Sequence, residues 1–477
     1  MRKTKGSPQP FGVDIKGKNI NFAVQVAKGK TCELLLYKRG KEVPEYQFDM
    51  PEEEGVGEVR FLSVEGLKAD RYEYNFLIDG KVCVDPYVKE LAGKEKFGVE
   101  RKLQEHQIRG KIVSMEDYDW QEDQRLHLPW EDVVAYGLHV RGFTKHSSSK
   151  VVHKGTFQGV VEKLDYLKEL GINAVYLTPI FQSISNHKYD IRDYRKVDPQ
   201  FGSLSDVKEL VQKAHGMGIR IVMDAVFNHC SMEMEEFEDV LKNGKESPYY
   251  EWFLIDGDYP DPERMNYECF ASCNYMPKLN TANAGVQEFL LKIAAYWIKE
   301  ADIDGWRLDV SDEVSHDFWR RFRKEVKQLK KDCVIIGENW HDAYPYLMGD
   351  QYDSIMNYAF TKACLDYFAR GKFDARQMAE KLNGNLMRNT EPVNDMMLNL
   401  LDSHDTHRFY TEIGKNKKRL LAAIALLVVF PGAACIYYGT EICMEGGYDP
   451  DSRRCFDWEE SHWDRAVMQE IKKLLAL

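Results

Sequence analysis

The sequence lacks the signatures of nucleotide binding. No GxGxxG follows its first barrel-type strand and no GxxxxGK[ST] occurs anywhere, so neither kind of phosphate cradle has support. It has no basic surplus either. Sixty-five Lys and Arg stand against 77 Asp and Glu, a formal charge of −12, which excludes a general nucleic-acid binder. The 10 cysteines form no CxxC pair and no dense framework. The nearest two, Cys269 and Cys273, lack the partners of a zinc site, and all are expected to be free thiols in a reducing cytoplasm. The charged start MRKTKGSPQPFG has no apolar run behind it, so no signal peptide is expected. The one long apolar stretch, Leu420 to Tyr437, is broken by Pro431-Gly432. It reads as a buried helix, a turn and a buried strand, not as a membrane span.

What is present fits a globular chain. Of 477 residues, 44% are hydrophobic and 30% charged, enough for two to four domains at roughly 100–200 residues each. Aromatics reach 12%; besides filling cores they offer flat platforms for ring-shaped ligands, and the acidic balance suits a neutral, hydroxyl-rich one. Residues 1–125 read as a β-sandwich, with alternating segments such as INFAVQVA, CELLLYKR and RYEYNFLID between polar turns. MEDYDWQEDQRLHLPW reads as a linker.

From 126 to 477 strands alternate with helices. AYGLHV, NAVYLTP, RIVMDAVF, DGWRLDV, CVIIGEN, DSIMNY, MLNLLDS and ACIYYG are strand candidates, with amphipathic stretches such as VEKLDYLKELG and DVKELVQKAHGMG between most of them. Glycine closes both of these helices. The pattern predicts an α/β chain, a (β/α)8 TIM barrel with insertions; a doubly wound open sheet is the alternative. The longest insertion, 230–281, follows the third strand, where a long loop shapes an active site. AVMQEIKKLLAL reads as the eighth barrel helix, and no C-terminal β-domain is expected after it.

Polar residues gather at the strand ends. Asp224, Asn228 and His229 close the third strand, Arg307 and Asp309 the fourth, Glu338 the fifth, His404 and Asp405 the seventh; His187, Tyr189 and Asp190 follow the second. Each alone reads equally well as a cap, an ion pair or a satisfied core histidine. Their coincidence on the C-terminal rim, where barrels do chemistry, points to a site. Arg307 and Asp309, two apart on a strand, share a face. The guanidinium is expected to keep Asp309 ionised, which suits a nucleophile. Crowding by Asp309 and Asp405 is expected to leave Glu338 protonated, which suits a proton donor. One charged and one neutral carboxyl, about 5–5.5 Å apart, is the requirement for glycoside cleavage with retention. His229 and His404 can bond sugar hydroxyls, and Tyr189 offers a flat face.

DAVFNH (224–229), GWRLDV (305–310), IIGENW (335–340) and LLDSHD (400–405) resemble the four short sequence regions of the α-amylase family of glycoside hydrolases. The resemblance implies Asp309 as nucleophile, Glu338 as general acid/base and Asp405 as transition-state stabiliser. It also implies that Asp224, His229, Arg307 and His404 line the subsite of the attacked sugar, with Tyr189 of NHKYDIRDY as its stacking tyrosine. MPKLN (276–280), GENWHD (337–342), GDQYDSIMNYAF (349–360) and YYGTEICMEGGYDPDSRR (437–454) are similar to cyclomaltodextrinases, neopullulanases and maltogenic amylases. That group implies that Asp449 and Arg453 bind the next sugar on the non-reducing side, that Trp340 contacts the leaving-group side, and that Glu313 belongs to the site. Phe270 reads equally as a ligand contact or as core.

PFGV…INFAV and YGLHVRGFTKHSSSKVVHKGTFQG resemble type I pullulanases, but NHKYDIRDY stands where those debranching enzymes carry YNWGYDP. The resemblance therefore implies a retaining hydrolase of α-1,4 bonds in maltooligosaccharides, cyclodextrins or pullulan, with transfer to sugar hydroxyls as a side reaction. An α-1,6 debranching enzyme and a non-catalytic glucan-binding protein are the alternatives. An α-glucan is the expected partner, with no nucleic acid and no membrane. No metal or other cofactor is expected. Calcium is the alternative, since Asn228 matches a calcium position of many α-amylases, but no Asp- and Asn-rich loop completes such a site, and Asn228 is read as a structural hydrogen-bonding residue.

Overall fold

The computed structural model describes residues 1–88, 91–92, 108–113 and 130–477; the linker read at MEDYDWQEDQRLHLPW lies almost wholly outside them. The chain forms two compact units: residues 1–123 with 373–394, and residues 124–372 with 395–477.

The first unit holds two antiparallel sheets. One orders β1 (Arg2–Thr4), β6 (Val59–Glu65), β3 (Asn19–Gln25) and β2 (Gly12–Lys16). The other orders β5 (Tyr46–Asp49), β4 (Cys32–Lys38), β7 (Tyr72–Ile78), β10 (Arg109–Lys111) and β9 (Leu91–Ala92), with β8 (Lys81–Cys83) on β7. Alternation sends Ile20, Phe22, Val24, Leu62 and Val64 of one sheet and Leu34, Leu36, Tyr74 and Phe76 of the other into a shared core. The helix Ala375–Met387, which the sequence placed in the barrel stretch 126–477, belongs to this unit. Asp374 and Gln377 form its capping box, and Met387 is buried with Phe11, Ala23, Val59 and Phe61. Full burial of one such methionine stabilises by about 1.5–3 kcal/mol.

The second unit is an eight-stranded parallel sheet in the order β18 (Ser354–Ile355), β17 (Val334–Gly337), β16 (Gly305–Leu308), β15 (Arg220–Ala225), β12 (Ala174–Leu177), β11 (Val134–Leu138), β20 (Ala433–Tyr437), β19 (Leu398–Leu400). A parallel bridge between Met356 and Leu398 joins its two edges, closing the (β/α)8 barrel. Every strand candidate of the barrel half coincides with one of these strands. Inward alternation packs Ala135, Tyr176, Val222, Ile336, Leu400 and Cys435 into the barrel core. The same parity, carried to the strand ends, aims Asp224 and Arg307 into the mouth.

Two β-strands, β13 (Phe181–Ser183) and β14 (Ile191–Val197), form a hairpin after β12, and the segment joining them carries His187 and Tyr189. The 230–281 insertion holds a helix, Glu235–Asn243, that the sequence left as irregular chain. Its first turn carries Glu235, Glu236 and Glu238, Gly244 follows it, and Phe237 and Val240 are buried. The apolar stretch near residue 420 is a helix, Lys417–Val429, followed by β20. Among the described residues no helix is long and apolar enough to cross a membrane, and every described cysteine is free.

Candidate active site

Arg307 organises the mouth of the barrel. Its Nη1 donates to Asp309 Oδ1 at 2.7 Å and to Asp224 Oδ1 and Oδ2 at 3.2 and 3.1 Å. Its Nη2 lies 2.9 Å from Glu338 Oε2 and 3.9 Å from Asp405 Oδ2. Four carboxylates from β15, β16, β17 and the loop after β19 thus surround one guanidinium with 1% of its side chain exposed. A buried carboxylate without such a partner is costly, so the arginine is what allows the acids to share one pocket.

The ends of β16 and β17 are tied together. The Val310 N–H donates to Glu338 Oε2 at 3.0 Å, and the Ser311 hydroxyl donates to the Glu338 carbonyl at 2.6 Å. Val310 does this from φ +44°, ψ +45°, a left-handed conformation rare for a β-branched residue. On the other side of the carboxyl, Trp340 Nε1 donates to Glu338 Oε1 at 3.1 Å, with its ring stacked on Tyr358 at 3.6 Å.

Tyr189 and His404 form an opposite wall. The Tyr189 hydroxyl donates to Asp224 Oδ2 at 3.0 Å and lies 2.5 Å from His404 Nε2, with the two rings nearly parallel. His404 Nε2 is also 3.1 Å from Asp405 Oδ2. Arg453 donates from Nε to Asp449 Oδ1 at 2.6 Å and reaches Asp405 Oδ1 at 3.6 Å. His229 Nε2 meets the Tyr189 carbonyl at 3.1 Å, and Phe270 stacks on the His229 ring at 4.7 Å. Glu313 pairs with Lys278 of MPKLN at 2.8 Å.

Of the residues singled out in the sequence, Asp224, Arg307, Asp309, Glu338, His404, Asp405, Tyr189, Trp340 and Arg453 are linked by direct contacts. Asp449 joins through Arg453 and His229 through Tyr189, whereas Glu313 contacts Lys278 and none of the acids. Sequence reasoning missed three residues. Tyr176 donates to Asp224 from inside the barrel, and Tyr358 backs Trp340. Buried His139, at the end of β11, caps the helix Val140–Thr144 and meets the Asn186 carbonyl at 3.0 Å. Tyrosines in strands read as core, and a histidine without a nearby carboxylate in sequence gives no signal; only its place at a strand end marks His139.

The electrostatics correct one expectation. Arg307 was expected to keep Asp309 ionised, and like charges to keep Glu338 protonated. It contacts both, and burial, the largest influence, pushes Asp309 well above the usual carboxylate range while Arg307 pulls it down. Asp405 is raised to about 7, by burial first and then by Glu338. Asp224 is raised by burial against Arg307. Burial brings His229 down to about 3 and His139 to about 4, and it holds His404 far below the imidazole range, so all three rings are neutral near pH 7. Such rings can offer one donor and one acceptor to a neutral ligand.

Asn228 Oδ1 is buried without a hydrogen-bond partner, and its Nδ2 lies 3.2 Å from His229 Nδ1. Among the described residues no group of three or more His, Cys, Asp and Glu could hold a metal ion, so no carboxylate set of the kind calcium selects stands beside Asn228.

The fold is a (β/α)8 barrel whose mouth gathers four carboxylates around one arginine. Residues 137–473 match the family model "Alpha amylase, catalytic domain". The chain is 49% identical over 325 residues to the cyclomaltodextrinase of Thermoanaerobacter pseudethanolicus, covering 68% of this chain and 57% of that protein. It is 48% identical over 323 residues to an intracellular maltogenic amylase of Bacillus subtilis, covering 68% and 55%. The match therefore spans little more than half the length of either relative. A solved cyclomaltodextrinase structure superposes with a TM-score of 0.77 at 32% identity, covering 99% of this chain and 84% of that one. The chain belongs to the α-amylase family.

Proposed function

We propose that the protein is a retaining α-glucan hydrolase that cleaves α-1,4 bonds of maltooligosaccharides, cyclodextrins or pullulan. The observation that carries the reading is the placement of Asp309 and Glu338 on adjacent nitrogens of Arg307 at the barrel mouth. The names of the relatives, cyclomaltodextrinase and maltogenic amylase, support the substrate class, and "intracellular" in one of them supports a cytoplasmic location.

The cycle is double displacement. Glu338 gives its proton to the glycosidic oxygen while Asp309, attacking as the carboxylate paired with Arg307 Nη1 at 2.7 Å, bonds to the anomeric carbon, and the C–O bond to the leaving sugar breaks. Glu338, now ionised, takes a proton from water. The hydroxide oxygen attacks the same carbon, releases Asp309 and restores the α configuration. A sugar hydroxyl in place of water gives transglycosylation. Asp405 holds ring hydroxyls during distortion, Tyr189 stacks on the attacked sugar, and Asp224, His229, Arg307 and His404 line its subsite. Asp449 and Arg453 hold the next sugar on the non-reducing side, Trp340 contacts the leaving-group side, and Glu313 belongs to the substrate-binding set. Every proton and electron pair of this cycle is handled by carboxyl groups, so we assign no metal to it.

Products from pullulan and maltotriose test the reading, with Asp309→Asn as control. Panose from pullulan and glucose from maltotriose, both lost in the variant, are expected. Maltotriose from pullulan means α-1,6 cleavage instead, and no reducing sugar from any glucan means a binding protein.

A further inference from the structure

The two oxygens of Glu338 are held differently. Oε2 accepts the Val310 N–H at 3.0 Å and stands 2.9 Å from Arg307 Nη2. Nη2 has no hydrogen-bond partner, so the Val310 N–H is the one donor bound to Oε2. Oε1 accepts from the indole N–H of Trp340 at 3.1 Å. The indole is 49% exposed and lies on Tyr358 with ring centroids 3.6 Å apart and planes 10° apart. Tyr358 is itself fixed, buried with its hydroxyl 3.2 Å from Ser403 Oγ. The ring thus has a rigid platform under one face and its donor edge on Glu338 Oε1.

We infer that Trp340 is a positioning residue for the acid/base step: its indole N–H stabilises Glu338 Oε1 as the proton leaves, and so sets the alkaline limit of the enzyme. This rests on the double-displacement reading above and goes beyond the sugar contact the family resemblance implies for Trp340. A hydrogen bond to the ionised form of a carboxyl favours that form. Removing it disfavours the form that has given up its proton. The other groups facing Glu338 are Arg307 and Asp309 of the β16 end, Asp312 beyond it, Asp224 of β15, Asp405 after β19 and the Tyr358 phenol. None of them changes when the indole is replaced.

The test is Trp340→Phe, which keeps an aromatic ring on Tyr358 and removes the N–H, with kcat/KM on maltotriose measured against pH. The alkaline limb is expected to move up by about one pH unit. A limb that coincides with that of the parent enzyme while KM rises overturns the inference and leaves Trp340 a sugar platform alone. With 4-nitrophenyl α-maltoside, whose leaving group departs without a proton, the two enzymes are expected to share one alkaline limb, and activity on it shows that the variant is folded. A difference that persists on this substrate also overturns the inference, because the effect then does not act through the proton. Glu338→Gln, measured in parallel, addresses the underlying reading. Parent-like turnover of maltotriose in that variant removes the double-displacement cycle, whereas its inactivity beside an unmoved Trp340→Phe limb removes only the role given to Trp340.

Discussion

Lys188 Nζ lies 2.6 Å from Asp198 Oδ2, and the two side chains are 0% and 2% exposed. The pair ties the segment carrying Tyr189 to the end of β14, with Lys188 at φ +69° just before the tyrosine. Removing one partner of such a pair strands the other charge. Lys188→Ala is therefore expected to cost about 3–5 kcal/mol in urea unfolding. A midpoint within error of the parent would show that the segment is held by other contacts.

Arg307→Lys probes the centre of the site. A lysine is a single charge on a flexible stem and cannot bond Asp309 and Asp224 from one nitrogen while holding a second beside Glu338. We expect kcat to fall on the order of a hundredfold or more, with the far-UV spectrum retained. A loss of less than threefold would mean that the fork geometry is dispensable.

Arg453→Ala addresses the non-reducing side. The arginine touches Asp449 and Asp405 but none of the groups assigned to bond exchange. Its loss should raise KM for maltotriose about five- to tenfold, the worth of about one hydrogen bond, with a smaller change in kcat. Equal losses in kcat and kcat/KM would move Arg453 into the machinery of the transition state.

Asp405 sets a pH dependence of stability. Its carboxyl, raised to about 7 by burial and then by Glu338, holds a proton in the folded state at pH values where the unfolded chain has released it. Stability from this group is thus fully present below about pH 4 and lost as pH rises to about 7. Asp405→Asn should flatten that decline. Because the side chain is 29% exposed, solvent screening limits the difference to about 1–2 kcal/mol. Parallel Tm-versus-pH curves for the two proteins would contradict this.

The assignment of no metal predicts that glucan cleavage in excess chelator stays within about twofold of the untreated rate, with an unchanged Tm. A loss of either that added calcium restores would point to an ion at Asn228, whose Oδ1 is buried and unpartnered.

The barrel was legible because its strands are short apolar runs between amphipathic helices, a pattern that survives even where β18 spans only Ser354–Ile355. The carboxylates were legible because each closes a strand. Spacing reports only neighbours on one strand, which is why Arg307 was paired with Asp309 and its contact with Glu338, from the next strand, was invisible. Tyr176 and Tyr358 were hidden because an aromatic in a strand looks like packing whatever its hydroxyl or ring face touches. The helix Glu235–Asn243 was missed among many aromatics, although its acidic first turn and trailing glycine are ordinary terminus signals. The left-handed Val310 has no sequence signal at all, since valine is a poor candidate for that conformation.

Helix Ala375–Met387, docked by Met387 on Phe11 and Phe61, bears on how this chain can be shortened or recombined. A cut near residue 124 that discards the leading segment would leave the methionine face of that helix wet and sticky in what remains. Chimeras that exchange the leading module should therefore carry 373–394 with it, or repaint that face with polar side chains.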